Sequence, residues 1–218
     1  MCLSRILFHF LLLFPFSLAG CGGDTTESTG KGETVQTPKT VEPIRIAGDR
    51  IQFEKDQIVS NLDDQRLDVK PPKGWSLGPR QEKYLVWFRV NKAAQVPRLL
   101  VSLEEPSEGF ENVNEKNVVA FAKAIQKEVD NEKVKLIEKD VLPIIAGDQP
   151  CARYVVGGKL GGASVDRQVL ITQANGRRYR VELQSYTDSF KEHRDAGYSV
   201  MAGLTFRTKE NDADKEGD

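Results

Sequence analysis

The chain is poor in the side chains that most enzyme chemistry uses. Its 218 residues hold two histidines and three cysteines. His9 and Cys2 lie in an apolar N-terminal leader and Cys21 stands at its end, so the rest of the chain keeps only His193 and Cys151. One histidine and one cysteine exclude most zinc centres and most imidazole-based catalysis. A single cysteine also excludes a disulfide within the domain, so its core has to hold without a staple. No G-x-S-x-G occurs, which removes the usual strained turn of a serine nucleophile. With 31 Lys and Arg against 32 Asp and Glu, there is no basic excess to suggest a nucleic-acid partner. No apolar run reaches the roughly 20 residues of a spanning helix. The longest, Ile6 to Leu18, is broken by His9, Pro15 and Ser17.

That run nevertheless carries the strongest signal. Arg5 is the only charge in the first twenty residues, the apolar segment follows it, and Leu18-Ala19-Gly20-Cys21 closes it. This is the layout of an export signal, and the last four residues resemble a bacterial lipobox. The resemblance implies cleavage before Cys21, a diacylglycerol on its thiol and an acylated new amino end. Residues 1–20 are then a lipoprotein signal peptide, and the membrane is a partner through the lipid on Cys21. A single acyl chain anchors only marginally, whereas two or three hold firmly. The expected location is the bacterial cell envelope. Gly22, where an Asp would resemble an inner-membrane retention signal, favours the outer membrane facing the periplasm in a host with two membranes.

Residues 21–41 read as the lipidated Cys and a flexible linker. Gly22 to Val41 holds six threonines and almost no large apolar residue, too little to order itself. As a coil it reaches roughly 25 Å. Residues 42–207 read as one domain, and 208–218 as a disordered charged tail. Within the domain, strands are expected near 43–46, 50–53, 66–69, 83–90, 97–103, 134–140 and 152–156, with the turn-rich 143–150 between the last two. Val118, Phe121, Ala122, Ile125 and Val129 form one apolar stripe, so a helix is expected over about 115–130. Asn114 is its expected cap, with Val113 and Val118 as a hydrophobic staple. Asn175-Gly176 is a strong type I′ hairpin signal between strands 164–173 and 177–185. A two-residue loop pairs Thr172 with Tyr179, Leu170 with Val181, Gln168 with Leu183, Val169 with Glu182 and Ile171 with Arg180, leaving one face apolar and one mixed. A second helix is expected over about 189–202, with Ser189 and Glu192 spaced as a capping box, and then a closing strand at 204–206.

Several constellations invite a chemical reading, and each has a plainer one. Gly157-Gly158-Lys159-Leu160-Gly161-Gly162 fits neither phosphate-loop spacing and reads as a hairpin. His193 sits on the shoulder of a helix face, where Asp195 does not face it. Glu104, Glu105, Glu108, Glu111 and Glu115 form an acidic run on a Pro/Gly-bearing loop. Paired carboxylates can hydrolyse glycosides, but this run reads as a solvated loop. Cys151 reads as a small buried apolar residue. Arg177, Arg178 and Arg180 give the hairpin tip a basic character and are the candidate partner-binding patch. No catalytic, cofactor-binding or metal-ligating residue is expected, and no cofactor.

The order of parts is similar to the PsbP/Mog1-like fold and its bacterial lipoprotein relatives over about residues 64–207. The resemblance rests on the Gly74-Trp75 turn after an early strand, two strands, a helix, a strand, the Ala146-Gly147 crossing, the Asn-Gly hairpin ending at Tyr179, and a helix from Phe190 into Leu204-Thr205-Phe206. It implies an α+β fold, a single antiparallel sheet of six or seven strands with helices on its faces, and members that act as accessory or binding proteins without a shared catalytic centre. The expected function is therefore a non-catalytic binding or accessory module for a larger envelope complex, not an enzyme. An envelope hydrolase using the acidic run or His193, and a carrier of a small apolar ligand, stand as alternatives.

Overall fold

A computed structural model of the protein describes residues 41–208. The leader with its lipobox, the linker up to Thr40 and the tail from Lys209 lie outside the described residues. The chain enters through β1 (Ile44–Ile46) and a 3-10 turn (Gly48–Arg50). Short elements follow: β2 (Val59–Asn61), α1 (Leu62–Gln65, a single turn), β3 (Leu67–Val69), β4 (Ser76–Leu77) and β5 (Val86–Arg89). Longer ones complete the domain: β6 (Arg98–Glu104), α2 (Val118–Asn131), β7 (Leu142–Ala146), β8 (Gln149–Leu160), β9 (Ala163–Ala174), β10 (Arg177–Tyr186), α3 (Phe190–Ala202) and β11 (Leu204–Phe206). Neither long helix is long and apolar enough to cross a membrane.

The α+β class holds, but not the single antiparallel sheet. The strands form an eight-stranded sheet, ordered β1-β7-β8-β9-β10-β6-β5-β4, and a separate three-stranded sheet, β11-β3-β2. β1 joins β7 in parallel. The closing strand joins the small sheet just after Gly203, where the chain leaving α3 passes close to Lys70 and Phe53. A Cβ there would lie 2.9 Å from both Lys70 Cβ and the Phe53 ring. Lys70 N donates to Gly203 O (3.1 Å), which seats Leu204–Phe206 against Val69–Leu67.

The hairpin forms in the expected register, with all five pairs as read from Asn175-Gly176. Its two faces are both buried. Leu170, Tyr179, Val181 and Leu183 join a core with α3 and the small sheet. Val169 and Ile171 join Ala152, Tyr154 and Val156 under α2. The expected stripe of α2, Val118 to Val129, is buried as a unit. The helix starts three residues later than expected, with Asn117 at its N-cap position but no side-chain cap bond, because Asn117 Oδ1 accepts from Asn114 N (2.8 Å). Asn114 Oδ1 accepts from Lys116 N (3.0 Å) and Asn117 N (3.2 Å), which folds 114–117 into an Asx turn instead of a first helical turn. Ser189 stands at the N-cap of α3 without a side-chain cap bond. Its hydroxyl is shared with Ser185 Oγ (3.2 Å) instead, so the capping box does not form.

Three short segments differ from the sequence pattern. Residues 50–53 keep a single bridge, Phe53 with Pro72. Of 134–140, only Leu136 bridges β8 at Val156 and Ile137 N reaches Val155 O (2.8 Å), which makes a strap over the β8 edge. The stretch read as turn, 143–150, holds β7, the turn at Gly147-Asp148 and the start of β8. Pro143 and Pro150 stand where their strands have a paired neighbour on one side only. A missing N–H is tolerated at such positions.

Candidate functional site

Alternation along β10 sends Arg178 and Arg180 to the α2 face and Arg177 to the opposite one. Arg178 donates to Glu128 (2.7 Å) and Ser107 Oγ (3.0 Å) and lies 3.0 Å from Glu104. Arg180 donates to Glu104 (2.9 Å), Glu182 (2.5 Å) and the Tyr154 hydroxyl (3.3 Å). Burial alone would pull the Arg180 pKa down, but Glu182, Tyr154 and Glu104 more than offset it and raise it. Burial likewise raises Tyr154. The two guanidinium groups line a hollow of about 370 Å³ beside α2. All three arginines of the hairpin tip are thus matched by carboxylates, because Arg177 pairs with Asp63.

Asp63 opens the feature that sequence reasoning missed. Asn61, Asp63, Asp64 and Gln65 all take left-handed backbone, with φ between 51° and 69°. Such a conformation costs roughly 1–2 kcal/mol for an ordinary L-residue, with Asn and Asp the most tolerant. The turn persists because the Asp63 side chain is buried, 3% exposed, between Arg177 and the Tyr179 hydroxyl (2.8 Å). Burial first, and then this bond to Asp63, push the Tyr179 phenol above its ordinary range. The turn forms one wall of a cleft of about 780 Å³. The facing wall runs from Leu77 to Trp87, and Val59, Leu62, Leu85 and Val86 supply its apolar lining. Trp87 is clamped: its indole N–H donates to Pro79 O (2.6 Å), Arg89 lies over its ring at 5.3 Å, and Gly78 packs so close that a Cβ would sit 2.0 Å from the ring. The sequence signal here is the short polar run Asp63 to Arg66 between short strands.

His193 lies edge-on to Trp75, with ring centroids 6.1 Å apart. Burial lowers its pKa below 6.5, and Glu192 opposes that shift. Both rings line a hollow of about 460 Å³ with Arg50, Asp195 and Ser199. Asp195 is held by Arg50 through Nε (3.1 Å) and Nη2 (2.5 Å). Ser199 Oγ accepts from Gln52 N (3.0 Å) and donates to Asp195 O (3.1 Å). Cys151 is fully buried, and burial drives its thiol above the ordinary range, with Arg153 opposing that shift. The acidic run is scattered: Glu104 joins the arginine network, Glu111 lies beside Gly176, and Glu115 pairs with Arg45 (2.6 Å). Gly157 and Gly158 belong to β8, and Gly161-Gly162 make the hairpin turn with positive φ. Among the described residues, no group of three His, Cys, Asp or Glu side chains gathers as a metal-ligand set.

No family model matches the chain. No curated protein matches it either. Solved structures overlap with it in part. A protein from Bacteroides thetaiotaomicron is 15% identical with a TM-score of 0.45, over 67% of this chain and 47% of that one. The chain thus spans about half the length of that protein. LpqN of Mycobacterium tuberculosis, described as involved in cell envelope biogenesis, is 13% identical with a TM-score of 0.42, over 70% of this chain and 90% of LpqN. Cyanobacterial PsbP from Synechocystis is 14% identical with a TM-score of 0.39, over 69% and 92%.

Proposed function

We propose that this chain is a lipid-anchored protein of the bacterial cell envelope, whose domain serves as a non-catalytic binding or accessory module for a larger envelope complex. The observation that carries the address is Leu18-Ala19-Gly20-Cys21 behind Arg5 and an apolar run. On this reading residues 1–20 are removed, Cys21 carries the lipid, 21–41 tether the domain and 208–218 trail from it. Gly22 after Cys21 favours the outer membrane facing the periplasm. The accessory role is supported by where the reactive groups sit. Cys151 is enclosed, His193 packs against Trp75, and Arg177, Arg178 and Arg180 are matched by carboxylates. The order of elements, from the turn at Gly74-Trp75 to Leu204–Phe206, resembles that of a PsbP/Mog1-like domain.

The decisive experiment is mass spectrometry of the membrane fraction. The N-terminal peptide should begin at Cys21 and carry acyl mass, and Cys21→Ser should leave the leader uncleaved by the lipoprotein route. A mature N-terminus elsewhere, or an unmodified Cys21, would overturn the anchoring. Crosslinking of the native protein in the envelope, followed by identification of the attached polypeptide, tests the accessory role.

A further inference from the structure

We infer that the cleft between the left-handed turn and the loop after β4 binds a short neutral oligosaccharide. This inference does not depend on the lipid anchor. A sugar ring presents hydroxyls at its rim and C–H groups on its faces, so its site needs polar and apolar walls together. The turn supplies the polar wall: Asn61, Asp64 and Gln65 are exposed on it. The Asn61 and Gln65 amides can donate to and accept from neighbouring hydroxyls, and the Asp64 carboxylate can accept from them. The opposite wall presents the half-buried Tyr84 ring and Leu77, which is 54% exposed. Both walls are fixed before any ligand arrives. Asp63 pins the turn from below through Arg177 and Tyr179, and Trp87 is clamped by Pro79 and Gly78 on the other side. Preorganisation of this kind lowers the cost of binding. A run of left-handed non-glycine residues held in place by the surrounding structure is also where ligand clamps are found.

Two other occupants fit the cleft less well. An alkyl chain needs an enclosed apolar pocket, and this cleft is open to solvent with a polar rim. An extended peptide pairs with a free strand edge, and the strands beside the cleft, β2 and β4, offer only three and two residues. The exposed rim charges are of both signs, Asp64 and Glu82 with Arg80, which favours a neutral glycan over a strongly anionic one.

The test is a titration of the full chain, in detergent micelles, with cellotetraose, chitotetraose and maltotetraose, followed by calorimetry and by backbone amide NMR shifts. At least one tetrasaccharide should bind, with shifts concentrated in 61–65 and 77–87. Gln65→Ala and Tyr84→Ala should each weaken it by about tenfold while the thermal midpoint stays unchanged. Gln65 is exposed, so its variant decides the matter if Tyr84→Ala fails to fold. The inference fails if none of the three sugars binds at up to roughly 10 mM, if the shifts fall elsewhere, or if Gln65→Ala binds as the parent does.

Discussion

His193 couples the α3 edge to pH. Its folded-state pKa lies below 6.5 because burial against Trp75 disfavours the imidazolium, with Glu192 opposing. As pH falls, the unfolded chain therefore takes up this proton first, and stability is lost from about pH 6.5 downward. Above that window both states are neutral and the residue contributes no slope. His193→Gln should change stability at neutral pH by at most ~1 kcal/mol, and should flatten the loss between about pH 7 and pH 5. Denaturant unfolding of both proteins across that range reads the difference. A constant gap between them would show that His193 does not change its protonation on folding. Gly203 is the other residue on which local geometry turns. Gly203→Ala places a Cβ 3.2 Å from Lys70 O and 2.9 Å from the Phe53 ring. Overpacking of this kind costs about 1–3 kcal/mol. A gain in stability, as entropy alone would give, would mean that Gly203 does not pack against Lys70 and Phe53.

At the scale of elements, the longest signals in the sequence were the most legible. Asn175-Gly176 fixes a two-residue turn, and alternation then sets every pair of the β9–β10 ladder. The α2 stripe was legible for the same reason, since five apolar residues at helical spacing share one face. Ile125 is 1% exposed in that stripe, so Ile125→Ala should destabilise the domain by about 2–5 kcal/mol. Chemical denaturation measures it, and a loss below about 0.5 kcal/mol would place the stripe against solvent. The small sheet was not legible as a separate layer. Its three-residue strands are too short for a period, and their pairing depends on contacts made across the whole chain. The same holds for the polar wall of the cleft. Nothing local marks Asp63 and Asp64 for left-handed backbone, because the groups that hold Asp63 lie more than a hundred residues away on β10.

At the scale of the whole molecule, the proposed address and the fold belong to different parts of the sequence. The leader and Cys21 precede the domain, and every buried core residue described lies at Ile46 or beyond. Cys21→Ser should accordingly abolish lipidation while leaving the thermal midpoint of the domain unchanged. Differential scanning calorimetry of parent and variant in the same detergent checks this. A shift of several degrees would show that the N-terminal region contributes to the fold.

The chain enters the domain through β1, a three-residue strand at the edge of the large sheet, joined to β7 alone and burying only Ile46. Tension applied through the preceding residues therefore loads this strand before any other. Peeling it breaks three residue pairs and the Arg45–Glu115 ion pair and withdraws a single side chain, Ile46, from the core shared with α3, so the domain can yield length there at the loss of few contacts. β1 is in that sense a mechanical fuse between whatever holds the N-terminal segment and whatever holds the domain.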